Sequence, residues 1–230
     1  MSKTYRSAPG NPYKKQVALI RRLWRRDPLL LFGVERWFLI GLATALLILP
    51  TTFVRWVGGW FGYLGRKLAV DLWAIGKPVL LLAVLYFAWS DGRWAALVAV
   101  LMLVDLYAYL MGLVFLHRYY VRPASYGRSV LLLFVNFIES ALGFAVLYLH
   151  AHSLEQGGAV LASWSRAVYF SFITAATVGY GDIVPGTEIG RLTVVAQVLC
   201  SFLFAAIILT TFVGNLSTMH GQRVHGPGGG

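Results

Sequence analysis

Charge is scarce in this chain of 230 residues: Asp, Glu, Lys and Arg together make up 13% of it, about half the share found in ordinary globular domains. Too few charged side chains remain to cover a water-soluble fold of this size, while 58% of the residues are apolar or aromatic, so the chain belongs in a lipid bilayer. Cysteine is nearly absent. Cys200 stands alone, which excludes an intrachain disulfide and any cysteine-based zinc framework, and its place in an apolar run marks it as a small buried side chain. No apolar run follows closely on a short basic start, so a secretory signal is not expected. Internal repeats are not visible, and a transporter built from duplicated halves has no support. No Ser-His-Asp, metal-ligand or phosphate-loop spacing occurs, so neither an enzymatic step nor a cofactor is expected; His150 and His152 read as an exposed turn.

What charge there is carries an excess of one sign, +11 net, and 9 of the 20 Lys and Arg fall within residues 1–36. Clustered beside the first apolar run, they read as a cytoplasmic flank drawn to anionic lipid, with no nucleic-acid partner expected. Residues 1–28 thus form a basic N-terminal region. Its first 13 residues hold Pro9, Gly10, Asn11 and Pro12 without periodicity and read as disordered. Over 14–26, Val17, Ile20 and Trp24 recur among Lys14, Lys15, Arg21, Arg22, Arg25 and Arg26, which predicts a basic amphipathic helix lying on the membrane surface, with docking onto the protein's own loops as the alternative.

Long, nearly uncharged runs follow at 37–54, 72–89, 94–116, 129–150 and 192–213, each about the 17–25 residues of a membrane helix. The first three fall in an N-terminal membrane region, 29–128. Lys77, near the start of the second run, is expected to reach back to the headgroups. The 90–93 link predicts a tight helical hairpin. The glycine-rich end, 219–230, reads as a flexible tail.

Between the fourth and fifth runs, residues 163–177 predict a short helix that enters the membrane and stops. It is followed by Thr177, Val178, Gly179, Tyr180, Gly181 and Asp182. This TVGYGD segment resembles the selectivity filter of the tetrameric potassium channel family, in the bacterial type with a two-helix pore domain. The resemblance covers 129–218 and implies an all-α membrane protein: a pore-loop channel of outer helix, pore helix, filter and inner helix, preceded here by additional membrane helices. It implies a homotetramer in the cell membrane that conducts K+ passively, the ion being bound at Thr177, Val178, Gly179, Tyr180 and Gly181. A non-selective cation channel and a non-conducting regulatory membrane subunit are the alternatives, and a separate regulatory subunit is left open as a partner. The residue types make physical sense, because a dehydrated ion needs oxygens at hydration distance. A backbone of alternating handedness turns successive carbonyls to one side, and Gly179 and Gly181 accept φ above zero without a Cβ clash. Asp182 either forms an acidic ring at the outer mouth or braces the filter through Tyr169 or Trp164, and the two roles are compatible.

Several positions depart from the family pattern. Ile173 and Ala176 flank the filter where some members carry glutamate and threonine. Val184 replaces an aromatic at the outer mouth, so external tetraethylammonium is expected to block weakly. No glycine stands between Arg191 and Gly214, and Ser201 occupies the place of a hinge. Counting by helical period, Phe202, Ala205, Leu209 and Val213 form a candidate cavity and inner-gate face, with packing on the outer helix as the alternative reading. No row of regularly spaced arginines marks an intrinsic voltage sensor.

The 117–128 loop, with Arg118, Arg122 and Arg128, belongs on the cytoplasmic side. A basic N-terminus on that side requires an even number of spans before 129, so the run 37–54, interrupted by Pro50, is expected to dip in and return; the alternative is a span with the N-terminus outside. Asp105 and Glu139 lie about ten residues from the cytoplasmic ends of their runs, about 15 Å deep. Acids there are functional candidates, either a proton-sensitive pair or partners of Lys77 and of the pore-helix backbone; otherwise they fix helix register. Gln197 and Asn136 read as helix-packing hydrogen bonders.

Overall fold

A computed structural model describes residues 11–24, 33–87, 89–116 and 126–224. Eight α-helices form the framework: α1 (Pro12–Trp24), α2 (Gly33–Ile48), α3 (Pro50–Gly58), α4 (Gly62–Tyr86), α5 (Arg93–Phe115), α6 (Tyr126–His150), α7 (Trp164–Ala175) and α8 (Glu188–Val224). Among the described residues, four helical stretches are long and apolar enough to cross a membrane: Leu64–Tyr86, Arg93–Phe115, Val130–His150 and Glu188–Leu209. The protein is an all-α membrane protein with one small exception. Strands β1 (Leu154–Gln156), β2 (Ala159–Val160) and β3 (Val184–Pro185) make an antiparallel sheet in the order β2-β1-β3.

Two ends of the bundle are fixed by polar contacts. At the basic end, Arg128 at the start of α6 pairs with Asp71 of α4. At the opposite end, His150 Nδ1 lies 2.9 Å from the Ser90 carbonyl oxygen. The α4–α5 hairpin is as tight as its sequence suggests, α4 ending at Tyr86 and α5 starting at Arg93. Helix α4 itself starts ten residues ahead of the apolar run, at Gly62, because Arg66, Lys67 and Asp71 interrupt hydrophobicity without interrupting a helix.

The first apolar run becomes a bent pair. Leu49 is extended (φ −68°, ψ 149°) ahead of Pro50, which opens α3, as expected of a residue preceding proline, and α2 and α3 meet at 55°. Phe38 of α2 packs edge-on against Phe115, at the basic end of α5, with ring centroids 5.1 Å apart. Gly58 of α3 abuts Gly65 and Ala69 in the first turns of α4. Both outer ends of the pair therefore lie at the basic end, while its apex reaches Asp105, about ten residues up α5.

The main core joins α4, α5, α6 and α7 through Leu81, Leu85, Ala99, Leu103, Ala145 and Phe170. Helices α5 and α6 approach closely at Gly143, where a Cβ would stand 2.9 Å from Leu103; small residues serve this purpose between membrane helices. Helix α1 is docked on the protein itself. Leu19, Ile20 and Leu23 join Leu39, Leu42, Ala43, Leu46 and Leu116, and Gln16 Nε2 donates to the Ala43 carbonyl at 3.2 Å. Its buried face is thus centred on Gln16 and Leu23, whereas Val17 and Trp24, taken from the sequence as part of the apolar stripe, are 42% and 58% exposed. Helix α8 continues to Val224, so the expected flexible tail from 219 begins inside a helix.

Candidate functional site

Helix α7 is clamped between the two helices that flank it. Ser171 Oγ donates to the Ala141 carbonyl of α6 at 2.7 Å. Gln197 of α8 donates through Nε2 to Ser171 O and Oγ, both at 2.8 Å, and accepts from the Tyr148 hydroxyl at 2.8 Å. Both carbonyl and amide of a fully buried side chain are thereby satisfied, which such a group requires. The Phe170 ring meets Tyr148 edge-on at 5.1 Å. A buried glutamine that ties three helices together could be suspected from sequence only as a packing residue, because its partners lie 26 and 49 positions away.

The end of α7 delivers the chain to the TVGYGD segment. Thr177 N donates to Thr174 O at 3.0 Å and Val178 N to Ile173 O at 2.8 Å, which uses terminal helix carbonyls as acceptors. Beyond that point the backbone alternates: φ is positive at Thr177 (58°), Gly179 (58°) and Gly181 (78°), and not at Val178 or Tyr180. For Thr177, a β-branched residue, this conformation is strained, and strain of this kind persists only where surroundings impose it. Successive peptide planes of opposite handedness are what a ladder of carbonyls facing one axis needs.

At the end of this segment, Tyr169 Oη donates to Asp182 Oδ1 at 3.3 Å. Trp164 does not join them among the described contacts. Its ring stands 5.9 Å from Tyr86, because the first turn of α7 lies beside the end of α4. Ile183 is buried, and Val184 and Pro185 pair with Glu155 and Leu154, backed by Gly186 N donating to Ser153 O at 2.9 Å. The sequence reading missed this sheet, although Gly157 and Gly158, with φ of 59° and 80°, are the residue pair that a two-residue hairpin favours.

On α8, Phe202, Ala205 and Leu209 are exposed in the single chain, while Phe204 and Ile207 pack with Leu106, Leu110 and Leu133 of α5 and α6. Val213 lies outside the residues whose side chains are described. Ser201 Oγ bonds back to the Gln197 carbonyl at 2.9 Å, a local bond that tends to bend helices.

The intramembrane acids are brought together with Lys77. Its Nζ lies 2.9 Å from Glu139 Oε1 and 3.4 Å from Asp105 Oδ2, and the residues are 5%, 0% and 1% exposed. The amine does not reach back to the headgroups as the sequence suggested, because two carboxylates at its own depth satisfy it better. Asp105 also accepts from Thr51 N at 3.2 Å and Thr51 Oγ1 at 2.6 Å, capping the first turn of α3. The pore-helix backbone is not part of this cluster among the described contacts. Thr51 was missed, though Pro50 announces a helix start whose N–H groups need an acceptor. The chain Thr51–Asp105–Lys77–Glu139 thus links the bent pair to the helix that supports α7. No group of three or more His, Cys, Asp or Glu side chains placed to hold a metal occurs among the described residues.

A short membrane helix that stops at a loop of alternating handedness, held between two crossing helices, defines a pore-loop channel domain. Residues 130–218 match the model of an ion channel family. The voltage-gated potassium channel regulatory subunit KCNF1 of Rattus norvegicus is 32% identical over 87 residues, 38% of this chain and 16% of the relative; the Homo sapiens protein of that name gives the same figures. A Rhodopseudomonas palustris protein, provisionally named a potassium channel protein, is 39% identical over 41 residues, 18% of this chain and 10% of the relative. The chain thus spans about a sixth of the length of the KCNF1 proteins and less of the bacterial one. No solved structure matches.

Proposed function

We propose that this chain is the subunit of a potassium-selective channel, four copies of which surround one axis in the cell membrane and conduct K+ passively, with no enzymatic step. The observation that carries the reading is the alternation of positive φ at Thr177, Gly179 and Gly181 within an unbroken TVGYGD. Carbonyls of such a segment replace the hydration shell of the ion, and one copy supplies a quarter of each ring. In this role Thr177, Val178, Gly179, Tyr180 and Gly181 line the filter, and Asp182, held by Tyr169, sets its outer end. The C-terminal end of α7 directs partial negative charge toward the axis and favours a cation there. Residues Phe202, Ala205, Leu209 and Val213 of α8 face the inner cavity. The sparse cover that a single chain gives α8, with 17% of its spanning window buried against 56% for α6, supports assembly with further copies.

The basic end faces the cytoplasm by the positive-inside rule. With both ends of the α2–α3 pair on that side, two spans precede α6, which places the filter entrance outside. A second reading, a non-conducting regulatory subunit, draws on the name of the KCNF1 relatives. One experiment separates them: purified protein in planar bilayers under a potassium gradient opposed by sodium. A reversal potential near the potassium equilibrium value is expected. Current reversing near zero would replace the reading by a non-selective cation channel, and protein that is inserted yet silent alone, but alters a partner's current, would favour the regulatory role.

A further inference from the structure

Two cores share helix α5 and change over at Asp105. The core of α1 and α2 takes Ala108 and Met111 from the basic half of α5. The core of α4, α6 and α7 takes Ala95, Ala99, Met102 and Leu103 from the other half. Among the described residues neither core contains a residue of α3. Helix α3 rests at its far end on the first turns of α4, and its start is tied in by Asp105, which accepts from Thr51 N at 3.2 Å and from Thr51 Oγ1 at 2.6 Å. The bend ahead of α3 is bridged as well, since the Thr52 hydroxyl donates across it to the Leu46 carbonyl of α2. A displacement of α2 is therefore passed to Thr51, and from there to a buried carboxylate that also faces Lys77 of α4.

On the other side of Lys77, three consecutive residues of α6 bind three different helices. Glu139 Oε1 lies 2.9 Å from Lys77 Nζ of α4. Ser140 Oγ lies 2.7 Å from the Tyr107 hydroxyl oxygen of α5. The Ala141 carbonyl accepts from Ser171 Oγ of α7 at 2.7 Å. Successive helical residues point about 100° apart, so a single turn of α6 addresses all three neighbours. Glu139, Ser140, Ala141 and Ser171 are buried, and a polar bond lost there is replaced only by moving a helix. Just beyond Ser171, the carbonyls of Ile173 and Thr174 accept from the amides of Val178 and Thr177. A shift of α7 at Ser171 thus reaches the first peptides of the TVGYGD segment. We propose that α1–α3 form a regulatory arm: displacement of the bent pair is carried by Thr51, Asp105, Lys77 and Glu139 through residues 139–141 to Ser171, and changes the footing of TVGYGD on α7. The consequence for current rests on the conducting reading above; the mechanical link does not.

The test uses the full chain in mild detergent for hydrogen–deuterium exchange of peptides spanning 170–180, and in planar bilayers for single-channel recording. Thr51→Val removes the hydroxyl from Asp105, and Glu139→Gln removes the charge that holds Lys77 to α6. Each should speed exchange over 170–180 at least about twofold and change the open probability at least about twofold, with the reversal potential unchanged. In T51V/E139Q the two changes should not add, because a link cut once has nothing further to carry. Thr51→Ser keeps the hydroxyl and should behave as wild type. So should Thr44→Val, since that hydroxyl bonds back to the Ile40 carbonyl within α2. Should the Glu139 variant fail to assemble, T51V compared with T51S decides. Unchanged exchange over 170–180 in T51V and E139Q, additive changes in the double variant, or an equal change in T44V overturns the proposal. Faster exchange in a protein that carries no current upholds the link and overturns the conducting reading instead.

Discussion

Replacing Lys77 by Met removes the cation that two buried carboxylates share. At 2.9 and 3.4 Å, each attraction is worth about 5 to 6 kcal/mol at an effective dielectric constant of about 20, before desolvation is charged against it. Desolvation of the amine returns a large part, and breaking such a pair from one side leaves a net loss of about 3–5 kcal/mol. The loss should fall unevenly on the two acids. Asp105 keeps the amide and hydroxyl of Thr51, whereas Glu139 Oε2 has no hydrogen-bond partner among the described residues. Glu139→Gln in the K77M background should therefore recover most of the loss, and Asp105→Asn much less. The assay is the fraction of monodisperse protein left after heating in detergent, measured by size-exclusion chromatography. For a chain of this length the expected drop in midpoint for K77M is about 6–20 °C. A K77M midpoint within about 2 °C of wild type, or a stronger rescue by D105N than by E139Q, would refute the reasoning.

Three further outcomes follow from the site. Gly179→Ala meets no neighbouring atom in the chain, so its cost is the left-handed backbone at φ 58°, about 1–2 kcal/mol in each subunit; the reversal potential under opposed potassium and sodium should move toward zero, and full selectivity in G179A would count against the filter assignment. Gln197→Leu leaves the buried Tyr148 hydroxyl without its acceptor and withdraws two bonds from Ser171, which should cost about 1–3 kcal/mol and lower the thermal midpoint; an unchanged midpoint would show the clamp to be dispensable. External tetraethylammonium should block weakly, since Val184 offers no ring at the outer mouth, and Val184→Tyr should strengthen the block at least severalfold in dose–response recordings.

The backbone alternation of the TVGYGD segment was legible because it is local: handedness is written into consecutive residues, and Gly179 and Gly181 stand where φ is positive. The acids were legible as a depth, since helical rise alone puts Asp105 and Glu139 at one level. Their partners were not, because Thr51 is 54 positions from Asp105 and Lys77 28, and no periodicity encodes which helices adjoin. The expectation for Lys77 failed for the same reason: an isolated amine in lipid reaches for water, but one facing two acids does not. For α1 the pattern of charge was right and the buried face was displaced, since Gln16 found a backbone carbonyl on α2 that sequence could not foresee. The bend at Pro50 was visible; that both ends return to one side follows only from the contacts of Phe38 and Gly58.

The small sheet changes how the segment between Thr177 and Ile183 can move. One end is fastened to α7 by the amides of Thr177 and Val178. The other is fastened to the turn after α6 by the β1–β3 pairing and by Gly186. A strand of peptide anchored at both abutments cannot slide or swing away; the motion left to it is rotation of individual peptide planes about a nearly fixed chord. In the proposed channel, loss of conduction would come as a turning of carbonyls in place, with the outline of the pore unchanged.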